Sequence, residues 1–310
     1  MIDELLQLAV EGVDGSYWPI YGLGAEECGV VLGMSPEGIW ETPTDTIWTE
    51  GAYQEGATYG GSKNNAQDAV FNVHISMAPG IDWMTVYSKW KQAWDFEEQS
   101  QLVATTPSGV RRLGLQKTQT PTFKPDVSPG VNNYGLMTMT TRAAWPFWVE
   151  DDVHDVFQSK ASNRVDLSTP IILDDGTKLS TVYRGTVKTS NPTDRPMHQV
   201  WVIDGAGRVQ VPDFSWITDP THEDYEHRNR AIWTPSLGAG ENLTIDTYPD
   251  HETWVSNINP MFYGRSGGVE FDFAVPKHTP AVNLPITCSA PGMTVLLKQK
   301  RHWTSILGGE

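Results

Sequence analysis

Apolar and polar residues alternate with a period of two along most of this chain, which is the pattern of half-buried β-strands. The alternation is clearest in FNVHISM (71–77), NLTIDT (242–247) and GVEFDFA (268–274). Short glycine turns separate further apolar runs, as DGAG (204–207) does between HQVWVI and RVQVPDF. Strands joined by such turns are typical of sandwiches and barrels, so the pattern predicts an all-β protein.

One segment, IDWMTVYSKWKQAWDF (81–96), follows helical spacing instead. Its apolar residues recur at intervals of three and four positions and share one face: Trp83, Val86, Tyr87, Trp90 and Trp94. Asp82 is placed to cap the N-terminus of a helix. We therefore predict one helix at about residues 82–95, packed through its aromatic face on a sheet.

The organisation into domains follows from a break near AAWPFWVEDD, where Pro146 interrupts a strand and acidic residues follow. We predict a first β domain over residues 1–149, which contains the helix, and a second β domain over residues 150–300. The basic end of the chain supplies an extension, residues 301–310. This extension is expected to pack either on the first domain or on a neighbouring copy.

The composition narrows the classes of partner. The chain has 310 residues and a formal net charge of −16, and the acidic excess is present in both halves. A phosphate backbone would be repelled by this charge, so we expect no tight binding of nucleic acid. The start, MIDELLQLAV, lacks the basic residues of a signal peptide, and no apolar run has membrane-spanning length. We expect synthesis and assembly in a cytoplasm, without membrane insertion.

The stretch GATYGGSKNN (56–65) is close to a phosphate-binding loop. Gly56 and Gly61 have the required spacing, but Ser62 and Lys63 stand in the reverse of the required order. The next segment reads as a strand rather than as a helix whose amide end would hold the anion. This stretch is therefore not predicted to bind a nucleotide.

Two other groups of residues resemble catalytic or metal sites. In HEDYEHRNR, His222 and His227 are five residues apart and diverge on a helix, so we expect a solvated acidic loop or turn. Paired acids of the kind that cleave glycosides are abundant, but no feature selects one pair: Asp151, Asp152, Asp155, Asp174 and Asp175. Neither Cys28 nor Cys288 lies in a nucleophile motif or in a zinc pattern. The sequence predicts no catalytic residue, no metal site, no cofactor and hence no enzyme.

The tryptophan content, 13 residues, is high for a chain of this length. Several aromatic residues lie in glycine- and proline-rich segments without periodicity, where they serve either as local core or as interface anchors: Trp48, Tyr53, Tyr59, Trp145 and Trp148. Together with Gly60, Gly61 and Lys63 they form our set of candidate subunit-interface residues.

Segments spread in order over nearly the whole chain resemble one protein family. They are VDGSYWPI, IWTEGAYQEGATYGG, SKWKQAWDF, PTFKP, YGLMTMTTRAAWPFWVEDDV, GTVKTSNPTDRP, WTPSLGAGENLTIDTYPD and GVEFDFAVPKHT. The chain is similar in these segments to the minor tail proteins of long-tailed phages of actinobacteria, and within that group to the distal tail protein.

The resemblance implies a split β-barrel belt domain followed by a galectin-like β-sandwich. It also implies a homohexameric ring at the virion tail tip, which joins the tail tube to the tail-associated hub and baseplate. The ring leaves a channel for the tape-measure protein and DNA. The glycines of GATYGG then serve tight turns beside a neighbouring subunit. Two other classes stay open: a carbohydrate-binding adhesin acting through the sandwich, and a tail-borne glycan hydrolase.

Overall fold

The computed structural model describes residues 6–124 and 128–308. The chain forms two compact units: Met1–Glu150 together with His302–Glu310, and Asp151–Arg301. The first five residues of the acidic start and the last two of the predicted extension lie outside the described residues.

The first unit is built on one large antiparallel sheet. Its strands within the described residues are β1 (Gln7–Glu11), β2 (Tyr17–Tyr21), β3 (Val30–Leu32), β6 (Gln67–Ser76), β7 (Ser100–Thr106), β8 (Gly109–Lys117), β9 (Thr122–Lys124), β10 (Tyr134–Ala143), β11 (Trp148–Val149) and β22 (His302–Trp303). The main path runs β2-β1-β7-β8-β10-β6-β3. Because β2 and β3 follow each other in the chain but stand at opposite ends of this path, the sheet curls into a nearly closed, split barrel.

A helix, α1 (Trp83–Gln92), fills the barrel with aromatic side chains. Asp82 caps it as predicted, because its carboxylate accepts the N–H of Thr85 at 3.0 Å. Trp90 is fully buried and packs edge-on against both Trp18 and Trp94, with ring centroids 5.6 Å apart in each pair. Such aromatic pairs contribute roughly 0.5–1.5 kcal/mol beyond the area that they bury.

Two further strands, β4 (Thr44–Thr49) and β5 (Thr58–Asn64), pair only with each other in the described part of the chain. They form a separate two-stranded ribbon in the first unit. A short helix, α2 (Pro129–Asn132), was not predicted. Its four residues are too few for the periodic pattern by which helices are recognised in a sequence.

The second unit is a sandwich of two five-stranded antiparallel sheets within the described residues. One sheet has the order β12-β21-β15-β18-β19, from Val153–Gln158, Thr294–Gln299, Gln199–Asp204, Asn242–Asp246 and Trp254–Ser256. The other has the order β13-β14-β20-β16-β17, from Arg164–Ile172, Lys178–Asn191, Thr279–Cys288, Val209–Pro212 and Ala231–Trp233. Three 3₁₀ helices complete this unit: Ala161–Asn163, Glu223–Asn229 and Phe262–Arg265.

The core of the sandwich lies between its two sheets, where alternate side chains of both meet. Trp201 and Ile245 of one sheet and Val187 and Ile286 of the other all belong to this cluster. Each is at most 1% exposed. The predicted fold class is thus confirmed: the protein is nearly all-β, with a split barrel that contains the helix and a galectin-like sandwich.

The prediction of a strand at GVEFDFA was wrong, since residues 269–274 form no ladder. Side chains take the place of ladder partners for this backbone. The buried Asp213 carboxylate accepts the N–H groups of Asp272 and Phe273, each at 3.2 Å. Arg230 donates to the Glu270 carbonyl at 2.9 Å and also binds the carboxylates of Asp213 and Asp272. The segment alternates in polarity because Phe271 packs against the core of the sandwich while Asp272 faces solvent. It does so without belonging to a sheet.

Asp213 should be the residue on which this irregular segment depends most. The Asp213→Ala variant should lose about 2–4 kcal/mol of unfolding free energy, because two N–H groups and a guanidinium lose their buried acceptor. Asp272→Ala is the matched control, since Asp272 binds the same arginine but its side chain is 56% exposed. The control should lose less than about 1 kcal/mol. Urea unfolding of the full chain measures both values, and equal losses would contradict the anchoring role.

Candidate functional site

The ribbon of β4 and β5 with its turn, residues 44–64, is named here the arm. The strands pair from Thr44↔Asn64 to Thr49↔Thr58, with a bulge where Ile47 faces Gly61 and Trp48 faces Tyr59. Gly60 is the extra residue of this bulge. Bulges increase local twist and redirect side chains. GATYGGSKNN is therefore mostly a strand rather than the glycine-rich loop that its composition indicates.

Large apolar side chains of the arm face solvent. Trp48 is 55% exposed, Tyr59 is 54% exposed, and Tyr53 at the turn is fully exposed. Trp48 and Tyr59 pack edge-on with ring centroids 5.2 Å apart, so each holds the other in place. Ile47 is also half exposed. Exposed apolar side chains that touch one another, as Trp48 and Tyr59 do, are typical of contact sites for other molecules.

The glycines and the lysine of the candidate set are part of the backbone turns and the strand pairing of the arm. Gly61 has φ +127° and Gly56 has φ +81°, values that favour glycine over any other residue. Lys63 stands opposite Asp45 in the ladder and is exposed. Asp45 also accepts the side-chain amide of Asn65 at 2.6 Å. These polar contacts lie toward the base of the arm, away from the turn that carries Tyr53 together with Glu50 and Glu55.

The base of the arm is held by residues 302–308, named here the strap. The Thr42 N–H donates to the Thr304 carbonyl at 2.7 Å, and the Ile306 N–H donates to the Trp40 carbonyl at 3.1 Å. Glu41 and Ser305 form the bridge between these two bonds. The strap thus adds a short antiparallel partner to the segment that leads into β4. In this way the extension returns to the first unit.

Arg111 clamps the strap from inside the first unit. Its side chain is 1% exposed, and its guanidinium lies 3.9 Å from the centroid of the Trp303 ring. It donates to the carbonyls of Ser305 at 2.8 Å and Gly308 at 2.5 Å, and Glu150 lies 3.7 Å away. A planar guanidinium that stacks and donates in two directions cannot be replaced by a lysine without loss.

The remaining aromatic candidates separate into different environments. Trp148 is fully buried and pairs with Trp303 in the β11–β22 ladder. It lies in the core of the first unit, and its place among the subunit-interface candidates stays an untested prediction. Trp145 is 37% exposed and packs edge-on against Phe147 and His302. These two contacts lie outside the arm.

Several of the other residues singled out for chemistry have structural partners. His222 caps the 3₁₀ helix Glu223–Asn229 by accepting the Asp224 N–H at 3.1 Å, so this segment is a helical turn. Asp155 accepts the Lys188 N–H, and Asp175 binds Arg208. Among the described residues, no group of three or more His, Cys, Asp or Glu residues is arranged to hold a metal ion.

The Cys288 thiol is buried and the Cys28 thiol is partly buried. Burial raises the pKa of the Cys288 thiol to about 12 and also raises the pKa of Cys28. Neither is a thiolate near neutral pH, which is the form that reacts. In the part of the chain that the structure describes, no helix has the length and apolar character needed to cross a bilayer.

Packing of the extension on the first domain is one of the two alternatives that the sequence left open, but the role of Arg111 in holding it was not predicted. The signal for Arg111 lies in VRRLGL, where period two puts it on the same face as Leu113 and Leu115. Both leucines are fully buried, so an arginine in this row must have internal partners. The identity of those partners, nearly two hundred residues away in the chain, has no local signal.

Arg111→Lys should loosen the base of the arm. A lysine cannot stack on Trp303 and loses one of the two hydrogen bonds to the strap carbonyls. The variant should therefore lose about 2–3 kcal/mol of unfolding free energy. Hydrogen exchange at residues 39–43 should rise at the same time. Arg112→Lys is the matched control, because Arg112 is its neighbour in β8, is 33% exposed and lies 3.7 Å from Glu11. Unchanged exchange at residues 39–43 in Arg111→Lys would show that the clamp does not hold the arm.

Comparison with known proteins identifies relatives of this chain and a protein with a similar fold. No protein-family model matches the chain. It is 31% identical over 339 aligned residues to the minor tail protein Gp27 of Mycobacterium phage L5, with 99% of both chains covered. It is 29% identical over 342 aligned residues to Gp27 of Mycobacterium phage D29, again with 99% of both chains covered. Its fold is similar to that of the SPP1 Dit protein (gp 19.1), with a TM-score of 0.54, 8% identity, and coverage of 96% of this chain and 99% of that chain. The chain therefore belongs to the family of the mycobacteriophage minor tail protein Gp27 and is a structural component of a phage tail.

Proposed function

We propose that six copies of this protein close into a ring at the tip of the tail and join the tail tube to the baseplate and the tail-associated hub. The exposed apolar arm is the observation that carries this proposal. The likeness of the fold to SPP1 Dit, described as a paradigm of hub adsorption apparatus in phages that infect Gram-positive bacteria, supports it. The protein is made in the host cytoplasm and acts through its surfaces, without catalysis.

An isolated two-stranded ribbon is marginally stable in water, and this one exposes both tryptophan and tyrosine side chains. A neighbouring copy that covers the arm removes this apolar surface from water and stabilises the ribbon. A contact between two different patches, repeated by a constant rotation, closes into a ring. The arm thus supplies one of the two patches that a ring of identical subunits needs.

The negative charge of the chain is compatible with a channel through which DNA passes. Six copies of a subunit with net charge −16 surround the channel with an acidic body. The tape-measure protein and then DNA pass through this channel. An acidic wall does not hold the phosphate backbone by electrostatic attraction, so DNA can slide. A channel wall that proves to be basic would contradict this part of the proposal.

The Tyr59→Ala variant should weaken ring assembly by about 30-fold, as expected for an aromatic anchor whose loss costs about 2 kcal/mol. Mass photometry and negative-stain imaging of the purified protein measure the number of subunits in each particle. Tyr17→Ala is the control, because Tyr17 is 58% exposed on the same unit but lies outside the arm. Equal assembly of both variants would remove the arm from the ring contact, and wild-type rings of another size would overturn the number six.

A groove in the sandwich favours a second candidate function, the binding of a carbohydrate. It has a volume of about 400 Å³, and its lining includes Phe214, Trp216, Tyr225, Arg228 and Asn229. Trp216 is held at φ +61°, an uncommon conformation for a bulky residue that often marks a functional site. The Arg228 guanidinium lies 4.1 Å from the centroid of the Tyr225 ring. Aromatic faces beside fixed polar groups are what a sugar ring requires of a binding site.

A glycan array tests this candidate function. We expect binding with Kd of about 1 mM for a single site, and a loss of at least fivefold in Arg228→Ala. Arg164→Ala is the control, because Arg164 is an exposed arginine of the same unit that binds Asp166. Absence of binding to any glycan would remove this candidate and leave the ring untouched.

A further inference from the structure

The proposed ring needs a second surface that receives the arm, because it repeats one contact between two different patches. We propose that the receiver is an apolar groove on the first unit, and that its occupant is the aromatic turn of the arm of the next copy. This inference rests on the proposed ring and names its two mating surfaces.

The groove has a volume of about 310 Å³. Its lining is apolar or aromatic for the most part: Leu8, Tyr21, Leu32, Met34, Pro36 and Trp40. None of the side chains that line it carries a charge near neutral pH. Met34 is 90% exposed and Trp40 is 39% exposed, so the apolar surface of the groove is open to an incoming group. Methionine adapts its shape readily to such a partner.

The charge of the chain restricts where two copies can meet. Each copy carries a net charge of −16, so approach through most of its surface is opposed by repulsion. The groove lining is uncharged and largely apolar, and so are the aromatic side chains of the arm, although Tyr53 has Glu50 and Glu55 as neighbours in the turn. The aromatic side chains are therefore the part of the arm that the groove can accept. Residues 44–60 of the arm are exposed throughout, so the arm does not occupy the groove of its own chain.

The two surfaces are linked by a short, fixed segment. Trp40 forms one wall of the groove, where its indole N–H donates to the Pro36 carbonyl at 3.2 Å. The Trp40 carbonyl accepts the N–H of Ile306 in the strap, and the arm begins at Thr44. The angle between the arm and the groove is therefore fixed within one subunit. A constant angle from one copy to the next is the condition for a closed ring.

A double-mutant cycle between Met34 and Tyr53 tests the contact. Both side chains are exposed, so Met34→Ala and Tyr53→Ala should leave the fold intact, which circular dichroism verifies. Each variant should weaken self-association in sedimentation velocity by about tenfold. Self-association of the double variant should be weaker than that of the wild type by about 10- to 30-fold. Independent sites would give about a hundredfold loss, whereas here both substitutions remove the same contact.

Met84→Ala supplies the matched control, because Met84 is 67% exposed on α1 of the same unit and lies outside the groove. Its combination with Tyr53→Ala should be additive. Additive losses for Met34 and Tyr53 in a wild type that forms rings would overturn the proposed receiver while the ring itself stands. A wild-type chain that stays monomeric at its solubility limit would instead reject the proposed self-assembly.

Discussion

The stacking of Arg111 on Trp303 is the interaction on which the first unit depends. A buried guanidinium is costly unless its donors are used, and two of its acceptors are carbonyls of the strap. The strap in turn supplies the hydrogen bonds that fix residues 40–42. The arm beyond them has no other sheet partner in the described residues. One buried arginine thereby holds, through the strap, the base from which an exposed ribbon begins.

Aromatic side chains serve two opposite purposes in this protein. Inside the barrel, Trp90 is enclosed by other rings and makes a small core rigid. On the arm, Trp48 and Tyr59 enclose only each other and remain half exposed. Apolar contacts act at short range, whereas the repulsion between acidic chains acts over a Debye length of about 8–10 Å. In the proposed ring, the apolar side chains of the arm supply the short-range contact that the net charge of the chain does not favour.

The period-two pattern predicted the sheets well, because most strands have one face on a core, and the spacing of Trp83, Val86 and Trp90 predicted the helix. The pattern failed at residues 269–274, where Asp213 and Arg230 satisfy the backbone in place of a neighbouring strand. It also failed at GATYGGSKNN, because an exposed ribbon has no buried face to impose alternation. The clamp on the strap joins distant parts of the chain, and no local rule reports such a contact.

The return of the strap to the first unit has a consequence for biosynthesis. The chain leaves the barrel at Glu150 and rejoins it at His302, so the whole sandwich must emerge from the ribosome before the base of the arm can close. Closing such a long loop is an entropically costly, late step of folding. A nascent or prematurely terminated polypeptide that ends before His302 thus lacks the hydrogen bonds that hold the base of the arm, so the arm is fixed only when synthesis of the chain is nearly finished.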